Sequence, residues 1–204
     1  MNSEEIIKYL RTEIEPMEDQ FLGLSYRVSV YLKDGTYLPC VIFRNPEKKI
    51  DQAIKRFKEE RTGKSIFAKS SGVDGYRDIV KLFVISGNKI NDYDIEKVEK
   101  SPFAFPQNIL STISGETTMA WTGFVAKMKD DNIFGFGTSF LFDFFKMPDG
   151  YEANDIKEII NHSYISKTGE LRSHKVPFFE RPEDYDESVI NRERPFFECY
   201  LDGL

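Results

Sequence analysis

Residues 116–146, ETTMAWTGFVAKMKDDNIFGFGTSFLFDFFK, form the densest apolar stretch in the chain. From Ile133 onward the even positions are Phe134, Phe136, Thr138, Phe140, Phe142 and Phe144. Side chains alternate faces along a strand, so these six line one side, and a run this aromatic favours strand over helix. The odd positions, Gly135, Gly137, Ser139 and Asp143 among them, make a small and polar second side. Asp130, Asp131 and Asn132 supply a turn. Upstream, Met119, Trp121 and Val125 on one face and Ala120, Phe124 and Met128 on the other describe a partner strand covered on both sides. The expectation is a long two-stranded hairpin that buries its phenylalanines as core. Glycine inside a strand marks a bend, a bulge or a close approach. Gly123, Gly135, Gly137 and Ser139 therefore read either as strong sheet curvature or as a ligand groove.

Outward from the hairpin, local patterns divide the chain. Residues 2–14 carry Ile6, Ile7, Leu10 and Ile14 at helical spacing, with Asn2 and Glu5 placed to cap the start and Pro16 to end it. Residues 24–32 alternate as a strand with one wet face. Asp34-Gly35 is a hairpin turn, and 37–43 is the return strand, in which Pro39 calls for an edge or a bulge. Asn45 and Pro46 open a second helix whose Ile50, Ala53, Ile54 and Phe57 make one buried face, with Gly63 as its stop. Residues 64–76 read as a mobile loop and 79–85 as an interior strand. A short helix is expected from Asp92 or Asp94 through Val98, residues 107–113 are ambiguous, and Asn154 caps a further helix with Ile156, Ile159 and Ile160 on its apolar edge. The last forty residues read as mostly irregular, with a final strand over 196–201. Pro177-Phe178-Phe179-Glu180 recurs as Pro195-Phe196-Phe197-Glu198, too short to define a repeat. Together these predict an α+β fold: a strongly curved, mainly antiparallel sheet of about five to seven strands flanked by about three or four helices. It is read as a single domain over 1–204, with a possible soft division near 101–115.

Composition sets the class. With 204 residues, 40% hydrophobic and 30% charged, the chain is an ordinary globular one. No apolar run approaches the roughly 20 residues of a membrane span, and no export signal is seen, so the expected location is cytoplasmic. Cys40 and Cys199 are far apart and read as free buried thiols. The net charge of −6 is uneven: residues 44–69 hold nine basic and four acidic side chains, and residues 180–204 hold eight acidic and three basic. Overall acidity argues against a dedicated nucleic-acid binder. Lys48, Lys49 and Lys55 in the basic stretch are the residues a nucleic-acid contact would use.

Catalytic signatures are absent from the sequence. Gly63-Lys64-Ser65 lacks the earlier glycine of a phosphate-binding loop, since position 58 is Lys58. With His162 and His174 the only histidines, no spacing supports a metal site, and no cofactor is expected. The best small-ligand set is Trp121 as a stacking surface, Asp143 as an acid, and His162, Arg172 and His174 from the chain that follows. These observations lead first to a protein-binding or regulatory protein, such as an inhibitor, an immunity-type factor or a complex subunit, acting through acidic and aromatic surfaces on another protein. A small-molecule enzyme or receptor with its pocket on the Gly/Ser face of 116–146 is the alternative. A nucleic-acid contact through 44–69 ranks last.

Overall fold

The computed structural model describes residues 1–19, 23–61, 87–118, 120–139, 142–174 and 182–204. The expected loop at 64–76, the strand at 79–85, the Gly63 helix stop and the first Pro-Phe-Phe-Glu segment lie outside the described residues, as do Met119, Phe140 and Leu141. The fold is mixed α+β. Among the described residues eleven strands form sheets of five, four and two strands, and the chain separates into two compact units, 1–100 with 197–204 and 101–196. The strong curvature expected of a single sheet is not found, because both larger sheets are open-ended and neither is strongly curled.

The first unit begins with α1 (Ser3–Glu13). The Asn2 side chain accepts from the Glu5 amide and the Glu5 side chain returns the bond, a reciprocal cap that satisfies two end donors. Ile6 and Leu10 are fully buried against a sheet made of β1 (Pro16–Asp19), β2 (Gly23–Leu32), β3 (Tyr37–Arg44) and β4 (Ile95–Lys100), closed on its far side by β11 (Phe197–Tyr200). The chain turns from β2 to β3 at Asp34-Gly35, with Gly35 at φ 86 and the Thr36 amide bonded 2.9 Å from the Asp34 carboxylate. Pro39 resolves as a bulge. Val28 pairs with Val41 and Val30 with Leu38, which leaves Pro39 and Cys40 opposite Ser29 alone. The face of β2 expected to be wet is instead buried at Ser25, Arg27 and Ser29, while Leu24 is exposed. β11 lies parallel to β3, so the sheet is mixed. Residues up to Val98, expected to form a short helix, instead give a 3₁₀ turn at 92–94 followed by β4, which pairs antiparallel with β2. Pairing along β2 gives this segment's inward backbone groups partners in the sheet.

α2 (Glu47–Arg61) starts where expected, with the Asn45 side chain accepting from the Glu47 amide at 2.8 Å. Its apolar face is not the buried one expected. Ile50 is 53% exposed, Ile54 46% and Phe57 36%.

The second unit contains the hairpin. β5 (Thr122–Met128) pairs with β6 (Ile133–Thr138), Phe124 opposite Phe136, through a turn in which Asp131 takes φ 68. β5 is buried on both faces, as its sequence implies. The hairpin is shorter than 116–146. β6 ends at Thr138, so the even-odd alternation does not carry into 142–146, where Phe144 and Phe145 are both fully buried. Phe134 and Phe142 are partly buried against a cluster that holds Phe105, Phe124, Phe136 and Phe145. Phe124 and Phe136 stack with centroids 5.5 Å apart, and Phe105 joins Phe145 at 4.6 Å. α3 (Gln107–Leu110) is one short turn of helix.

Residues 156–161, expected as a helix, form β7 (Ile156–Asn161) along β5 after a 3₁₀ turn at 153–155. Three isoleucines at helical spacing suit a strand equally well, and β5 offers an unpaired edge. The remaining strands are the hairpin β8 (Ser163–Ile165) with β9 (Leu171–Ser173), and β10 (Ile190–Arg192), parallel to β6.

Candidate functional site

In the second unit, Trp121 leads into β5 and folds over the small-residue face. A Cβ on Gly137 would lie 2.1 Å from Trp121 Cζ2, and one on Gly123 would lie 3.2 Å from Trp121 Nε1 and 3.5 Å from His174 Nε2. One on Gly135 would meet Ile165 of β8 at 3.8 Å. The glycines thus make room for an indole and a strand, and protein atoms occupy that face. The Arg192 guanidinium stacks on the indole 4.6 Å from its centroid and bonds Glu193, whose carboxylate also accepts from the Ser139 amide at 3.2 Å.

His174 is brought to Trp121 through Gly123. Its ring is buried against Tyr164, with centroids 4.7 Å apart, and against Tyr185 at 5.7 Å. Burial, with His162 nearby, lowers its pKa to about 4, so it is neutral at physiological pH. The Tyr164 hydroxyl donates to Asp184 at 2.7 Å, and burial followed by this bond pushes it up to about 12. His162 occupies the turn from β7 to β8, where its Nε2 lies 3.0 Å from the Ser114 carbonyl and its own carbonyl accepts from the His174 amide at 2.7 Å. Arg172 sits on exposed β9, paired with Glu170 and 3.9 Å from Asp184. Asp143 is buried. Of the five residues singled out from sequence, Trp121, His174 and His162 therefore share one neighbourhood, and Arg172 reaches its outer edge through Asp184.

The first unit holds two features that local sequence patterns did not mark. One is a groove of about 480 Å³ between α2 and residues 89–92, with Tyr200 at its floor. Lys49, one of the three lysines considered for nucleic acid, is turned into it. Its Nζ lies 3.4 Å from Glu198 and bonds the Tyr200 hydroxyl, while Lys48 lies over Gly23 and Lys55 is exposed. The Tyr200 hydroxyl is pushed up by burial and then by Glu198.

The second is an aromatic corner. Tyr31 and Tyr37 face each other across β2 and β3 with centroids 4.8 Å apart, 36% and 42% exposed. Tyr93, 65% exposed, lies at the same end of the sheet, because the Lys33 amide bonds the Asp94 carbonyl at 2.9 Å. Asp34 lies in the turn from β2 to β3, and Lys97, paired with Glu99, lies 5.9 Å from the Tyr31 ring centroid. Ser3 of α1 donates to Asp92, which lines the groove.

Among the described residues no group of three or more His, Cys, Asp or Glu could hold a metal, and no helix is long and apolar enough to cross a membrane. Cys40 and Cys199 are buried free thiols, and burial pushes the Cys199 thiol up to about 12, far from the reactive range. Comparison with protein-family models, with curated proteins and with solved structures finds no match to this chain.

Proposed function

We propose that the protein is a cytoplasmic interaction or regulatory protein that acts by binding another protein through the corner formed by Tyr31, Tyr37 and Tyr93. The observation that carries this reading is three exposed tyrosines at one end of the first sheet, Tyr31 and Tyr37 ring to ring and Tyr93 next to the Asp94 carbonyl that accepts from the Lys33 amide. Tyrosine is the residue type most useful at an interface, since it covers a large apolar area, loses little rotamer freedom and keeps a hydrogen-bonding tip. Sheet pairing already holds the backbone of Tyr31 and Tyr37, so ordering costs on binding are low. The chain's net charge of −6 favours encounter with a basic partner surface.

The test is affinity capture by the full chain from its native host at increasing salt. Retention of a discrete partner should fall between about 0.05 and 0.3 M salt, as the Debye length contracts below the reach of exposed charges. The Tyr31→Ser/Tyr37→Ser/Tyr93→Ser variant should lose roughly thirtyfold or more in affinity, the scale of interface hot spots. A partner held equally by the variant would rule out the corner as the binding surface.

A further inference from the structure

Just beyond β10 the second unit carries a short cationic ladder. Phe145 and Glu193 form an antiparallel bridge, the Lys146 amide donates to the Arg192 carbonyl at 2.8 Å, and the Arg194 amide donates to the Phe144 carbonyl at 2.8 Å. Lys146 is therefore the cross-strand neighbour of Arg192, with Cβ atoms about 5 Å apart. Arg194 follows on the same side of the strand, about 6.5 Å further along. Like charges directly opposite on a ladder cost stability. Here two cations face each other and a third stands beside them, with Lys146 and Arg192 both exposed.

Packing fixes the donors. The Arg192 guanidinium lies on Trp121 at 4.6 Å from its centroid, and that of Arg194 lies on Phe103 at 4.1 Å. A guanidinium flat on a ring keeps its N–H edge for a ligand, and it has already given up rotamer freedom that binding would otherwise remove. Glu193 accepts from Arg192 Nε at 2.9 Å and from Nη2 at 3.1 Å, with the Ser139 hydroxyl 3.5 Å from Nη2, which leaves the Nη1 corner outward. Among the described residues no carboxylate pairs with Lys146 or Arg194. Three residues thus each present a cationic donor: one ammonium and two guanidinium edges.

The number of donors selects the ligand. A carboxylate has two oxygens, which a single guanidinium fork fills. A phosphate group has three terminal oxygens, one for each cation, and carries the charge that relieves their mutual repulsion. We infer that Lys146, Arg192 and Arg194 bind a phosphate group. The site belongs to the second unit and the tyrosine corner to the first, so either can fail without the other.

Trp121, the only tryptophan, lies under Arg192, so its emission reports on the site. The probe is inorganic phosphate, titrated into the full chain at a fixed ionic strength of about 0.1 M set with sodium chloride, with glycerol 3-phosphate and acetate in parallel. The expected result is a saturable change in Trp121 emission with a midpoint below about 5 mM phosphate, and acetate at least about tenfold weaker. Tighter binding of the ester assigns a phosphate monoester as the ligand, and tighter binding of inorganic phosphate assigns the free anion. Lys146→Glu should weaken phosphate about tenfold or more, and Arg194→Gln about fivefold or more. Lys129→Glu, the same charge change at the β5–β6 turn, should leave the midpoint unchanged. The inference is overturned if emission does not saturate, if acetate matches phosphate, or if Lys129→Glu weakens binding as much as Lys146→Glu.

Discussion

At the scale of single residues, the contact between Gly137 and Trp121 organises one face of the second sheet. The indole lies so close to the β6 backbone that even a methyl group would overlap it by more than an ångström. Gly137→Ala should therefore displace the ring, destabilising the unit by about 1 to 3 kcal/mol as overpacked sites do. Because Trp121 is the chain's only tryptophan, its emission should shift to the red in the same variant. Pairing Gly137→Ala with Trp121→Leu should recover part of the lost stability, a coupling that denaturant titration of the double-mutant cycle measures.

His174 supplies the second residue-scale consequence. Its folded pKa, about 4, is below the ordinary value of 6.5. Between those values the unfolded chain binds a proton that the folded chain refuses, so stability is full above about pH 6.5 and is lost as pH falls toward 4. The loss approaches about 3 kcal/mol by one-proton linkage. His174→Phe should flatten the dependence of denaturation midpoint on pH across this window. An unchanged slope would mean that another group carries it.

At the scale of elements, burial separates two apolar stripes that look alike in sequence. Phe136 is in a closed cluster with Phe105, Phe124 and Phe145, and Phe136→Ala should cost about 3 to 5 kcal/mol. Ile54 on α2 is nearly half exposed, and Ile54→Ser should change stability by no more than about 0.5 kcal/mol. Urea titrations of both variants check the pair. This difference also marks where sequence reading ends. Helical periodicity states that Ile50, Ile54 and Phe57 share a face, but it does not state whether anything covers that face. The β5–β6 hairpin was readable because its alternation and its Asp-Asp-Asn turn are local. β4 and β7 were not, because Ile95 with Val98, and Ile156 with Ile159 and Ile160, also fit a helix, and the decision is made by backbone edges on β2 and β5 that belong to other parts of the chain. The candidate sites follow the same division. Trp121 and His174 meet only through Gly123, and the groove joins residues 46–54, 89–92 and 200, whose proximity no local pattern encodes.

At the scale of the whole molecule, two cores are each built from their own unit's residues. One holds Ile6, Val41 and Phe43, and the other holds Phe105, Phe124 and Phe136. Each is large enough for its own cooperative transition, as expected of compact units of this length. Val41→Ala and Phe136→Ala should therefore lower different transitions in a calorimetric scan. The tyrosine-bearing corner and the groove along α2 both lie on the first unit, which makes that unit the seat of partner recognition in this account.

The most direct test of that recognition role is site-specific photocrosslinking in the native host, with a benzophenone side chain at position 37 or 93, and at exposed Glu158 on β7 as a control. The account predicts one discrete adduct of the same mass from positions 37 and 93 and none from 158. Adducts from 158 alone, or a featureless smear from all three, would contradict it.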